Sequence, residues 1–441
     1  MSLLRLIIFI CSISTCMFVW GVSFDDRDGL PGYYSTYLAD RIRMINKDKS
    51  PSFIFITDTH VTANRMRSPM LIKEITERTS IKKVVWGGDA IPAYGNEDEI
   101  KKCWKKQLLF DSLIVKDGQL YKIRGNHDFT IKENRFSSVG VTYSQVETAR
   151  LLMGNCPNDV VSNSVDAGAC YYYFDDKKNK LRYVVFDTTD SVKSTNVPWG
   201  TIYGVHDTQL KWVADSAIAS TPEGFGLVFF SHVPFTDTTG ARHEVLSNIR
   251  ELVDAAALKS AGKIGLINYD FSKLKHVDVL LVMSGHNHQD MQTYRNGVVH
   301  VVTSCDTAYD DYKADPFVKD MSGMKKGTVN EQCFDCVTID RRKRLVKNYR
   351  IGIGGNRYFH TKPILLNIGR FKRIKTSFVK KVEWYSYNAN GNKYNGMWTL
   401  YNNIVNVSQD GIVYCRKAGE AVVLAVDAKG NKEFFNIIVR E

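Results

Sequence analysis

Five short polar clusters each stand directly after a strand-like apolar run. They are Asp58-Thr59-His60, Gly87-Gly88-Asp89, Gly125-Asn126-His127-Asp128, Ser231-His232 and Gly285-His286-Asn287-His288. Five of the ten histidines in the chain fall within them. Carboxylate and amide oxygens together with imidazole nitrogens suit divalent cations, and imidazole also moves protons near neutral pH. Any one cluster alone says little, because a histidine after a strand is usually just a hydrogen-bonded polar residue. His286-x-His288 says more, since a period of two in extended chain points both rings to one side. In open α/β sheets chemistry gathers in the loops past the strand ends. Five such loops in one chain point to a metal site assembled from distant segments.

The elements that must position these loops read as alternating strands and helices. Buried strands are expected at Phe53–Ile56, Val84–Trp86, Leu120–Arg124, Leu227–Phe230 and Val277–Met283. Helical spacing marks Tyr33–Asn46, Met70–Glu77, Glu97–Leu113, Gln209–Ala219 and Glu244–Ala261. Tyr171–Phe174 and Tyr183–Phe186 read as a hairpin. Val298–Thr303 follows as a strand, then Cys336–Ile339 paired with Leu345–Ile351. That order argues for packed sheets with helices outside. Phe129–Ala169 is long and polar, with helical spacing only near Tyr143–Met153, and suits a substrate-selecting wall. After Pro363 the texture changes to short alternating strands divided by Asn390-Gly391-Asn392, Asp410-Gly411 and Lys429-Gly430-Asn431, the pattern of a small β-sandwich.

A chain of 441 residues is long enough for two domains, each with its own core. Met1–Ser23 stands apart: Arg5 precedes an uncharged run from Leu6 to Val22, and Gly21-Val22-Ser23 offers small residues for cleavage. It reads as a secretory signal, with a short membrane anchor as the alternative. Seven cysteines remain beyond it, an odd number that does not make a disulfide framework. Cys156 and Cys170 flank one loop and could bridge. Cys333-Phe334-Asp335-Cys336 reads as a local bridge or two buried thiols. The net charge of +12 is concentrated: Arg341 to Lys381 holds fourteen Lys/Arg and no Asp/Glu. Its Arg341-Arg342-Lys343-Arg344 run reads as a solvated hairpin turn, or alternatively as a polyanion-binding patch.

The order of the five clusters resembles the calcineurin-like metallophosphoesterase superfamily, over roughly Phe53 to Ile351. The resemblance implies an α/β fold, a four-layer α/β/β/α sandwich, over 24–363, with two divalent metal ions (Mn, Fe or Zn) at the strand ends. It implies one ion held by Asp58, His60, Asp89 and His288, and the other by Asp89, Asn126, His232 and His286. Asp89 is then the shared ligand, because a carboxylate can bridge ions about 3.5–4 Å apart. The activity implied is hydrolysis of a phosphate mono- or diester by a metal-bridging hydroxide. His127 would protonate the leaving oxygen, and Asp128 would either orient His127 or serve structure alone. Pro92 stands where purple acid phosphatases place a metal-binding tyrosine, three residues past the shared Asp. The Arg-rich motifs of the protein-phosphatase branch are absent too.

The segment 364–441 resembles a bacterial group 2 Ig-like domain in Asn406–Val413 and Ala418–Val422. That resemblance implies a bacterial exported protein: secreted, periplasmic or cell-surface. The partners expected are an anionic phosphoester substrate and a cell-surface or polyanionic ligand met through the basic segment and the Ig-like domain. No stable nucleic-acid complex is expected. The competing reading is a surface binding protein on a catalytically silent phosphoesterase fold.

Overall fold

The computed structural model describes residues 30–60, 67–92, 97–115, 118–128, 145–190, 203–235, 246–306, 324–325, 327–389, 393–394, 397–398 and 402–441. The leader expected at 1–23 lies outside them, as does 129–144 of the long polar stretch.

The strands run in chain order as β1 (Ser52–Ile56), β2 (Lys83–Trp86), β3 (Gln119–Lys122), β4 (Val161–Ser162), β5 (Tyr172–Asp176), β6 (Leu181–Val185) and β7 (Gly226–Phe230). After the small hairpin β8 (Ala261–Ile264) and β9 (Ile267–Asp270) come β10 (Asp278–Ser284), β11 (Met291–Arg295) and β12 (Val298–Val302). Then follow β13 (Cys333–Asp340), β14 (Leu345–Gly352), β15 (Arg357–Asn367), β16 (Phe371–Arg373), β17 (Val382–Asn388), β18 (Lys393–Tyr394), β19 (Met397–Trp398), β20 (Val405–Val407), β21 (Ile412–Cys415), β22 (Gly419–Asp427) and β23 (Lys432–Arg440). One sheet has nine strands in the order β17-β22-β23-β15-β14-β13-β1-β2-β3. The other has seven, β11-β12-β10-β7-β6-β5-β4.

Side chains alternate across each strand, so every strand buried on both faces feeds two cores. In β1, Phe53 and Phe55 face the second sheet, where they meet Tyr183, Phe230 and Leu281. Ile54 and Ile56 point the other way, into a core built with the helices Gly32–Lys47, Arg67–Arg78, Glu97–Val115 and Gln145–Met153. The second sheet repeats the arrangement: Val184, Phe186, Leu227 and Phe229 pack under Asp207–Ile218 and Ser247–Leu258. The layers therefore run helix, sheet, sheet, helix. The expected continuous helix over Gln209–Ala219 is helical, but its second half, Val213–Ile218, widens to π spacing.

Parallel pairing brings the loops together. β1, β2 and β3 are parallel neighbours, as are β6, β7, β10 and β12. All these strands point one way within their sheet, so the loops after β1, β2, β3, β7 and β10 all leave at C-terminal strand ends. The Leu120–Arg124 run is only half apolar because two of its cations are consumed internally. Lys122 pairs with Asp111 at 2.7 Å, and Arg124 pairs with Asp187, all four side chains being essentially buried.

Among its described residues the C-terminal part holds strands and turns and no helix, and the boundary expected at 363 falls inside β15. β15 pairs in parallel with β23, and β22 and β17 extend the same sheet. Tyr387, Val422, Leu424 and Phe434 enter the core between the two main sheets. Their outward neighbours Trp384, Val423 and Phe435 pack with Val405 and Val413 of a separate three-stranded sheet. A small sandwich is thus present, but one of its layers is the end of the large sheet. Arg341–Arg344 is the turn between β13 and β14, as expected. Cys156 and Cys170 are not bridged, nor are Cys333 and Cys336, both buried thiols. Among the described residues no helix is long and apolar enough to cross a membrane.

Candidate metal centre

Gly-rich turns at the strand ends let the loops approach one another closely. A Cβ on Gly125 would fall on the backbone nitrogen and Oδ1 of Asp89, and one on Gly285 would collide with Thr57 and Asp58. At Gly88 it would sit 2.5 Å from His232 Nδ1, and Gly88 has a left-handed φ of 96°. The polar residues carry strain as well. Asp58, His60, Asp89, His286 and His288 all have positive φ, between 46° and 72°. Such backbone costs about 1–3 kcal/mol per residue and persists where surrounding structure over-determines it. Cross-loop hydrogen bonds do this here: Asp58 N–H donates to Gly88 O at 3.0 Å, His60 N–H to Asp89 O at 3.0 Å, and Gly285 N–H to His232 O at 3.0 Å.

The seven expected donor residues converge. Asp58, His60 and His288 bring one ligand atom each to within 4.8 Å of one another, and so do Asp89, His232 and His286. Asp89 also forms such a group with His60 and His127, which joins the two clusters through one carboxylate. Asn126 Oδ1 lies 3.1 Å from His232 Nε2, and that nitrogen is 3.1 Å from Asp89 Oδ2.

Neighbouring groups aim the donors. Thr57 Oγ1 donates to Asp58 Oδ2 at 2.6 Å, and His286 N–H reaches the same oxygen at 2.9 Å. This turns Asp58 Oδ1 toward His288 Nε2, 3.3 Å away. His232 Nδ1 lies 2.8 Å from Gly87 O, which sets it as a proton-bearing nitrogen and turns Nε2 toward Asp89 and Asn126. His60 Nε2 and His288 Nε2 stand 3.2 Å apart.

Carboxylates and imidazoles gathered at one spot shift one another's titration. Asp58, although buried, is held down to about 2, chiefly by His232 and His288, and His232 and His127 hold Asp89 well below the usual range. Burial alone would lower His232, but Asp89 and Asp58 draw it up to about 9. Burial would lower His288 too, yet its bonds to Asp58 and Cys305 raise it to about 11. His232 and His288 thus hold protons against the two carboxylates, whereas burial lowers His60. Two carboxylates, an amide oxygen and four imidazoles, without a thiolate in either group, fit divalent Mn, Fe or Zn.

Of the two roles expected for Asp128, its hydrogen bonds are those of the structural one. Its two oxygens accept four backbone N–H groups: Asp89 at 3.0 Å, Ala90 at 2.7 Å, Ile91 at 3.3 Å and Gly125 at 2.7 Å. It ties the loop after β2 to the loop after β3 and so positions Asp89 and Asn126. Burial and the Asp89 charge push its carboxyl up, to about 7, against the pull of those amides.

His127 is the rim residue. Its N–H donates to Asp89 Oδ1 at 2.7 Å, and its side chain is 30% exposed, with Nε2 4.0 Å from Asp89 Oδ2. Sequence reasoning missed two contributors. Tyr203 OH lies 3.1 Å from His286 Nε2, with no sequence motif to flag it. Asp290, two residues past His288, is fixed by Arg350 at 2.7 Å and Arg357 at 3.1 Å, and its Oδ1 accepts Ser304 N–H at 3.1 Å. Ser304 Oγ in turn donates to His288 O at 3.0 Å. Asp335 completes this buried set at 2.8 Å from Arg350 and 2.6 Å from Arg357. The two arginines lie on β14 and β15, too far along the chain to be linked to His288 by spacing.

Fold and site together define a metal-dependent phosphoric ester hydrolase. A family model for calcineurin-like phosphoesterases matches residues 51–290, and the chain belongs to that family. Its members work with divalent metal ions. Among solved structures, a dimetal phosphatase from Danio rerio is similar at 13% identity and a TM-score of 0.46, over 70% of this chain and 99% of that one. PhoD is similar at 12% identity and a TM-score of 0.39, over 67% and 65% of the two chains. So is GAP50, the anchor in the inner membrane complex of Plasmodium, at 13% identity and a TM-score of 0.38, over 67% and 83%. No curated protein matches the chain.

Proposed function

We propose that the protein hydrolyses a phosphate mono- or diester at a centre for two divalent ions. The observation that carries this reading is the pair of donor groups joined through Asp89. One ion would be held by Asp58, His60, Asp89 and His288, the other by Asp89, Asn126, His232 and His286. When bound, two such cations clamp anionic phosphoryl oxygens and lower the pKa of water from about 15.7 toward about 7. The chain's own residues do the rest. Thr57 and the His286 amide fix the Asp58 rotamer, and Gly87 O fixes the His232 tautomer. Asp128 braces the loops that carry Asp89 and Asn126. His127, open at the rim and one residue from a ligand, donates its proton to the leaving oxygen.

The reading extends to location and architecture. Met1–Ser23 serves as a secretory signal, so the hydrolase acts outside the cytoplasm, in the periplasm, at the cell surface or beyond it. The Ig-like sequence pattern of 364–441 supports a bacterial exported protein, with that part bracing the large sheet through β17, β22 and β23.

The test is turnover of an aryl phosphate and an aryl phosphodiester by the intact chain loaded with Mn, Fe or Zn. Asp89→Ala is expected to lose both bound metal and turnover. Unchanged turnover would sink the proposal. His127→Ala is expected to keep metal and lose rate, and loss of metal with rate would refute its assignment as the acid.

A further inference from the structure

The opposite ends of the same strands form a second concave surface with no part in the metal centre. A cleft of about 980 Å³ lies between the end of the Gly32–Lys47 helix, the β5–β6 turn and the β13–β14 turn. It borders Pro51 at the start of β1, whereas the metal centre follows the end of β1. Five strand residues at about 3.3 Å each separate the two by roughly 17 Å.

Its charge is one-sided once pairs are removed. Asp48 is taken by Lys347 at 2.9 Å, Asp340 by Lys343 at 3.1 Å and Asp278 by Arg344 at 2.7 Å. Lys47, Lys49, Lys178, Lys180 and Arg342 also line the cleft, all exposed and none in an ion pair among the described residues. They come from three separate segments, so local sequence composition alone does not account for them. Cations crowded this way repel one another and lower their energy by binding anionic groups.

The shape and lining narrow the ligand. None of the exposed large apolar side chains among the described residues lines the cleft, which leaves it without the anchors a membrane contact uses. Tyr349, its one aromatic, is mostly buried and donates its hydroxyl to Asp48 at 3.0 Å, so it offers no face for stacking bases. A volume of this size exceeds what a single phosphate fills and suits a chain laid along it. We infer that this cleft binds a linear, phosphate-rich polyanion through its charged backbone, independently of the metal centre.

The experiment is titration of the full chain with inorganic polyphosphate of defined length, across a range of salt concentrations. Expected is binding whose log affinity falls linearly with log salt, as charge neutralisation with counterion release requires. The variant K47Q/K49Q/K178Q/K180Q is expected to bind about tenfold or more weakly, with a shallower salt slope and unchanged aryl-phosphate turnover. Asp89→Ala is expected to bind polyphosphate as the parent does. Parent-like affinity in the four-lysine variant, or lost binding in Asp89→Ala, would overturn the proposal. Tighter binding of single-stranded DNA or of anionic phospholipid vesicles than of polyphosphate would overturn the ligand class.

Discussion

The two ends of the parallel strands are built on opposite principles. At the C-terminal ends the polar residues are buried or half-buried, five of them with left-handed backbone, and laced together, with glycines where any Cβ would collide. At the N-terminal ends the cations that line the cleft without ion pairs are exposed on turns and at or just past a helix end, Lys180 with left-handed backbone, and their reach is set by flexible side-chain stems. A metal centre needs donor atoms fixed within a few tenths of an ångström, which only rigid elements and second contacts provide. A polyanion surface needs charge density alone, and side chains that adapt serve it well. The difference makes distinct forecasts, because single changes should be ruinous at one end and nearly silent at the other.

The largest effect is expected from Asp89→Ala, which removes the carboxylate common to both donor groups. Elemental analysis should show metal lost, and a phosphoesterase assay should show no turnover. Next comes His127→Gln, expected to retain metal while the rate falls by about 10²–10⁴, the usual contribution of a positioned acid. Arg350→Met addresses stability instead of chemistry. It leaves Asp290 and Asp335 with one guanidinium between them, and denaturant unfolding should show a loss of about 3–5 kcal/mol, typical for breaking a buried pair.

A smaller effect separates the bare centre from the loaded one. His232 in the bare chain is raised from 6.5 to about 9, so the stabilisation it provides is full below pH 6.5 and fades as pH rises through 9. The melting temperature of chelator-treated protein should therefore fall between those pH values, while metal-loaded protein, whose imidazoles are already deprotonated, should not follow it. A parallel decline in both forms would mean that the carboxylate–imidazole pairs are not the metal ligands. The smallest effect is expected at the other strand ends: K47Q/K49Q/K178Q/K180Q should leave turnover of a small aryl phosphate at the parent level.

The same contrast explains what could be read from the chain. The convergence of the seven donor-type residues was legible because each sits in a short polar cluster after an apolar run, and a strand end fixes where such a cluster points. The task of Asp128 was legible only as one of two alternatives, and the choice falls on structure because its oxygens turn back to the amides of 89–91 and 125 while its neighbour His127 faces the rim. Tyr203 and the Asp290–Arg350–Asp335–Arg357 set escaped because their partners lie 60 residues or more away, apart from Asp335, and nothing local marks them. The C-terminal strands were legible as strands from their alternation and turns. Their pairing was not, because the register of Arg357 with Lys432 is decided by packing against the main core. A texture change in sequence marked new local chemistry there, and the large sheet runs straight across it.

The most direct test of the central claim is metal stoichiometry. Protein purified without chelator and reloaded with Mn or Zn should bind two ions per chain by elemental analysis, and Asp89→Ala should fall well short of two. A parent chain that binds a single ion, or none, while turning over phosphoester at full rate would contradict it.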